Sequence, residues 1–123
     1  MKEIFTELNS IENVQGSLFF SIDGELMIYE AVGENIPSKE IIEEYSGSLE
    51  WEFINNQFKE INEAELIFIK HRVYIRKVDH GFILVLMTLE TPIEVVRLNT
   101  DLLIPELDSL KKNKGFRRFF RFR

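Results

Sequence analysis

Six consecutive apolar residues, Phe82 to Met87, stand between the turn residues Asp79-His80-Gly81 and Thr88. The run does not alternate with polar residues, so a strand made from it has to be covered on both faces. It is far too short to span a bilayer. It therefore predicts the central strand of a sheet, and the rest of the chain must supply flanking strands and two covering layers. The 123 residues suffice for one such domain without a disulfide or metal staple.

The flanking strands can be read from composition. "AELIFIK" (64–70) and "RVYIRKV" (72–78) precede "FILVLMT" (82–88), and all three are rich in β-branched and aromatic residues. Asp79-His80-Gly81 suits a turn. Lys70-His71-Arg72 must turn without glycine. Upstream, "SLFFSIDGELMIYEA" (17–31) holds Asp23-Gly24 between two apolar stretches, a strong hairpin signal, and the turn chemistry alone accounts for both residues. With Ile22 opposite Glu25, Leu18, Phe20, Ile22, Met27 and Tyr29 share one face. Phe19, Leu26 and Ile28 share the other with Ser17, Ser21 and Glu30. Both faces carry large apolar groups, so both are expected to be covered.

Three helices complete the reading. Residues 3–12 place Ile4, Phe5, Leu8 and Ile11 at helical spacing. A middle helix is expected over about 39–58, capped by Ser38, with one stripe of Ile42, Tyr45, Leu49 and Phe53 and a second of Trp51, Ile54 and Phe58. Thr91 and Pro92 read as the cap and first residue of a last helix. Its apolar face is Ile93, Val96, Leu103, Leu107 and Leu110, with a kink expected near 101–105 from Pro105.

Charge divides the chain. Residues 111–123 carry seven basic side chains and no acid, whereas residues 1–110 hold 8 basic and 21 acidic residues, a balance of −13. The body should repel nucleic acid. The absence of cysteine removes disulfides, thiolate nucleophiles and cysteine metal sites. No glycine-rich phosphate loop is visible, and Ser46-Gly47-Ser48 lacks the glycine spacing of a nucleophile elbow. His71 and His80 fall in predicted turns without further ligands at metal spacing. No catalytic residue, cofactor or metal is expected. The N-terminal "MKEIFTELNS" has no apolar stretch behind it, which predicts a cytoplasmic protein.

The order helix, hairpin, helix, three strands, helix resembles the roadblock family of dynein light chains and their bacterial relatives. The local marks are Val14-Gln15-Gly16-Ser17, Ile22-Asp23-Gly24 and "GFILVLMT". The likeness implies an α+β, single-domain α/β/α sandwich. A five-stranded antiparallel sheet would run second, first, fifth, fourth, third, with the first and last helices on one face and the middle helix on the other. Residues 1–115 would form this domain and 116–123 a basic-aromatic tail. Leu66, Ile67, Phe68 and Ile69 would then lie on an edge strand. A monomer rarely leaves such an edge open, and the family's solution is a dimer in which third strands and middle helices meet.

The resemblance implies a non-enzymatic dimeric regulator or scaffold for a small Ras-like GTPase. Trp51 and Ile54 join Leu66, Ile67, Phe68 and Ile69 in the expected homodimer interface, although Trp51 at helical spacing also suits a core position. Two other readings remain. One is a small-molecule sensor with a pocket near Tyr45, Trp51 or Phe53. The other is a peripheral membrane adaptor acting through Phe116, Arg117, Arg118, Phe119, Phe120, Arg121, Phe122 and Arg123, a tail that could equally fold back on the acidic body or meet an acidic partner.

Overall fold

A computed structural model describes residues 4–22, 25–32, 56, 59 and 62–112, with side chains up to residue 109. The elements are α1 (Thr6–Asn9), β1 (Val14–Ser21), β2 (Leu26–Ala31), β3 (Glu63–Ile67), β4 (Arg72–Val78), β5 (Gly81–Met87) and α2 (Ile93–Lys112). The strands form one sheet in the order β2-β1-β5-β4-β3. All four pairings are antiparallel. This is the expected topology, and β5 is its centre. Every residue of β5 is buried, as an unalternated apolar run requires.

The two faces of the sheet hold separate cores. On one, Phe19, Ile28, Tyr74, Ile83, Val85 and Met87 pack with Phe5 and Leu8 of the α1 segment and with Val96, Leu103 and Leu107 of α2. The first and last helices thus share one face. On the other face, Leu18, Phe20, Val73, Ile75, Phe82, Leu84 and Leu86 form an equally dry cluster. Apart from Asn56, which is helical and exposed, the helix expected over 39–58 lies outside the described residues, as do Asp23-Gly24.

Several details differ from the sequence reading. The first helix is a single turn, not ten residues, and the chain on either side of it is held by tertiary bonds instead. The Glu30 carboxylate accepts the backbone N–H groups of Ile4 at 3.1 Å and Phe5 at 2.9 Å. Asn9 donates its side-chain amide to the Glu30 carbonyl at 2.9 Å, and Ser17 donates its hydroxyl to the Asn9 side-chain oxygen at 2.7 Å. A one-turn helix cannot sustain itself, and Glu30 supplies acceptors that the helix start lacks.

The hairpin register also changes. Phe19 faces Ile28 as expected, but Phe20 then faces Leu26, with a bulge between. One extra residue exchanges the faces of the two side chains beyond it. Leu26 joins the cluster with Leu18 and Phe20, and Met27 joins the helical face, the reverse of the simple alternation. β1 also begins at Val14, so Gly16 lies inside the strand, where its pairing with β5 shifts register.

α2 begins one residue later than expected. The Pro92 carbonyl accepts from Val95 and Val96 at its start. Thr91 does not cap it; its hydroxyl donates to the Asn13 carbonyl at 3.1 Å. Asn13 has φ 71, a left-handed conformation that asparagine tolerates, and its carbonyl also accepts from the Thr88 N–H. Pro105 lies inside the helix, which continues to Lys112. Gly81 is the glycine that close approach demands. A methyl group there would stand 1.9 Å from the Phe20 carbonyl oxygen.

Candidate functional site

β3 ends the sheet, paired on one side with β4. It is shorter than expected: the strand covers Glu63–Ile67 and not 64–70. The reversal that follows solves the turn without glycine. The Phe68 N–H donates to the His71 carbonyl at 2.8 Å, and the two rings stack with centroids 4.7 Å apart. Ile69 and Lys70 occupy the tip. Asn13 is the only described non-glycine residue with positive φ, so this turn is neither of the left-handed types common in two-residue hairpins.

Alternation along β3 sorts its side chains. Ala64 and Leu66 face the Leu84 cluster. Ile67 is 68 % exposed, Phe68 37 % and Ile69 90 %. Of the four apolar residues expected at this edge, Leu66 is thus partly core, while the other three stand together at the hairpin end. Trp51 and Ile54, and the whole tail Phe116–Arg123, lie outside the described residues. The sensor pocket expected near Tyr45, Trp51 or Phe53 lies outside them too.

Behind this edge is a polar network that sequence reading missed. The Tyr74 hydroxyl donates to Glu63 Oε1 at 2.5 Å and accepts from Arg76 at 3.1 Å. Arg97 of α2 donates to the same Glu63 oxygen at 3.0 Å, and Arg76 pairs with Asp101 of α2. The network joins β3, β4 and α2. Burial, with the Glu63 carboxylate beside it, pushes the Tyr74 phenol up to about 12. The Tyr74 hydrogen bond holds the Glu63 carboxyl below its usual range against the opposing effect of burial, with Arg97 assisting. Arg72 completes the edge. It pairs with Glu65 at 2.6 Å and donates to the Thr88 carbonyl at 3.2 Å and to the Thr91 carbonyl. Only the alternation of Glu63, Glu65 and Ile67 opposite Arg76, Tyr74 and Arg72 hinted at these contacts.

Arg72, Arg76 and Arg97 are thus each paired with an acidic side chain of the same fold, Arg97 at the surface. Of the two histidines, His80 is exposed and His71 is half-buried against the Phe68 ring. The fold brings Asp108 beside the Asp79-His80 turn, with one potential ligand atom from each residue within 4.8 Å of the others. Distance along the chain concealed this trio. Among the described residues, no helix is long and apolar enough to cross a membrane.

No protein-family model and no curated protein matches the chain by sequence. Solved structures do match it by shape. A Roadblock/LC7 domain from Streptomyces avermitilis superposes with a TM-score of 0.68 at 10% identity, covering 89% of this chain and 96% of its own. MglB of Myxococcus xanthus gives 0.62 at 15% identity, covering 89% of both chains. A further MglB structure, described as having a tetrameric arrangement, gives 0.57 at 10% identity and covers 95% of this chain and 82% of its own. With the same strand order and helical layer that the resemblance implied, the chain has the roadblock fold.

Proposed function

We propose that this protein is a non-enzymatic, dimer-forming regulator or scaffold for a small Ras-like GTPase. The observation that carries the reading is the β3 edge, unpaired by any described strand, with Ile67, Phe68 and Ile69 exposed at its hairpin end. An edge of this kind invites a second strand. Two copies of β3 can pair across it. A five-residue strand alone does not reach the roughly 1,600 Å² of a stable interface, so Trp51 and Ile54 are assigned to the same surface.

The GTPase assignment follows from the roadblock resemblance and is supported by the likeness to MglB structures. The engagement of Arg72, Arg76 and Arg97 in ion pairs and hydrogen bonds favours a mode of action without an arginine finger. The dimer would order or hold the GTPase's own residues. The test is co-purification from native cells after loading with a non-hydrolysable GTP analogue or with GDP, followed by mass spectrometry. A Ras-like GTPase enriched in one nucleotide state is expected. Its absence in both states would overturn the assignment. If it binds, changing each of the three arginines to Ala should leave GTP hydrolysis within about tenfold. A loss of the 10³–10⁵ size a finger supplies would show that one is present.

A further inference from the structure

A second exposed apolar surface lies on the helical layer. Val95, Leu98 and Leu102, spaced three and four residues apart on α2, are 40 %, 57 % and 65 % exposed. They lie away from the buried stripe of Val96, Leu103 and Leu107. Leu102 also forms one wall of a cleft of about 240 Å³ between α1 and α2. Ile4, Leu8 and Leu103 line its apolar part, and Glu7 and Glu106 its acidic part. Arg97 and Asp101 reach instead toward the β3–β4 edge on the other flank of the helix. The dimer edge therefore leaves this surface unexplained.

We propose that this cleft and stripe receive residues Phe116–Arg123 of the same chain. The chemistries are complementary. The segment has four Phe, four Arg and no acid, while the cleft has an apolar wall and two carboxylates. Both regular backbone conformations separate most of the two residue types, the helix leaving Phe122 and Arg123 on the opposite sides and the strand Arg118 and Phe119. As a helix, the segment would place Phe116, Phe119 and Phe120 on one side and Arg117 and Arg121 on the other. As a strand, it would place Phe116, Phe120 and Phe122 opposite Arg117, Arg121 and Arg123.

The lengths agree as well. α2 ends at Lys112, about 25 Å from Val95 at the helical rise of 1.5 Å per residue. Eight extended residues cover about 26 Å. Asn113, Lys114 and Gly115 remain for the reversal, and Gly115 accepts the left-handed conformation common just beyond a helix. Tethering supplies an effective concentration in the millimolar range, so weak docking suffices. The docked segment covers the α2 stripe, and its release would expose the stripe and the Arg-Phe segment together. An anionic membrane or an acidic protein would have to compete with the cleft for the segment.

The test uses the full chain labelled in its leucine methyl groups, compared by NMR with a chain lacking residues 116–123. Deletion should shift the Leu102 and Leu103 methyl signals and leave that of central Leu84 in place. A peptide of residues 115–123 added to the shortened chain should restore the Leu102 shift. Leu102→Lys, at an exposed position, should abolish the difference in the Leu103 signal between long and short chains. Identical Leu102 and Leu103 signals with and without the segment would overturn the proposal. So would a shift that grows with protein concentration, which would assign the segment to another molecule. Vesicles containing phosphatidylserine that bind the full chain without altering the Leu102 signal would overturn it too, because membrane binding and cleft docking would then not compete.

Discussion

The two edges of the sheet are built differently. At the β2 edge, the largest side chains are packed. Leu26 and Tyr29 join one core, Met27 and Ile28 the other, and Glu30 ties the α1 segment across the strand. At the β3 edge, polar groups are carefully paired, yet Ile67, Phe68 and Ile69 are left at the surface. Both strands are short and both flank the same dry centre. At one edge the apolar side chains of the strand are drawn into the two cores, and the other retains apolar groups for which the described residues supply no cover. A side-chain network that fixes an edge and leaves its apolar end outside presents a preformed strand, which lowers the ordering cost of pairing with another.

The contrast can be tested by substitution. Both edges depend on the β1–β5 frame, and Gly81→Ala should damage it most, because the new methyl meets the Phe20 carbonyl. A loss of about 3 kcal/mol or more is expected in chemical denaturation. Glu30→Ala should come next. It leaves the Ile4 and Phe5 N–H groups without their acceptor, at a cost of about 2 kcal/mol and about 8 °C in Tm. An unchanged Tm would mean that the α1 segment is held by packing alone.

Tyr74→Phe should cost about 1 kcal/mol by removing the hydroxyl between Glu63 and Arg76. It should also change the response to alkali. The Tyr74 phenol is raised to about 12 in the folded chain, against about 10 in the unfolded one. Its contribution is therefore whole below pH 10 and fades as the pH rises toward 12. Tyr74→Phe should flatten that decline. The smallest effect is at acid pH. Glu63 is lowered on folding, so its contribution is whole above the usual carboxylate range and fades as the pH falls through the folded value. Its side chain is 38 % exposed, which keeps the effect below about 1 kcal/mol. Denaturation of wild type and Glu63→Gln at pH 7 and pH 3 measures it.

The strand order was legible because a strand that cannot alternate, Phe82–Met87, has to sit at the centre, and the roadblock resemblance ordered the rest around it. The face shared by Phe5, Leu8, Val96 and Leu103 followed from helical spacing. The bulge at Phe19-Phe20 was not legible, since neither residue nor its neighbours in β2 carry a glycine or proline that would mark it. The length of the first helix was hidden for another reason: its apolar spacing extends to Ile11, but Glu30, distant in sequence, supports its start. At the candidate site, Ile67, Phe68 and Ile69 were visible as an apolar run. Their turn was misplaced by one position because the Phe68–His71 stack stands in for the expected turn residues. The Tyr74 network depends on three elements meeting, which periodicity within one element cannot reveal.

The decisive measurement is sedimentation equilibrium at micromolar concentration on the unmodified protein and on Ile67→Lys. Ile67 is 68 % exposed, so its replacement should leave the fold intact. The unmodified protein should sediment at twice the 14.6 kDa of the chain. Ile67→Lys should weaken the dimer by about 2 kcal/mol or more, roughly thirtyfold in Kd, with an unchanged circular dichroism spectrum. A monomeric unmodified protein, or a dimer indifferent to a lysine at position 67, would contradict an interface at the β3 edge.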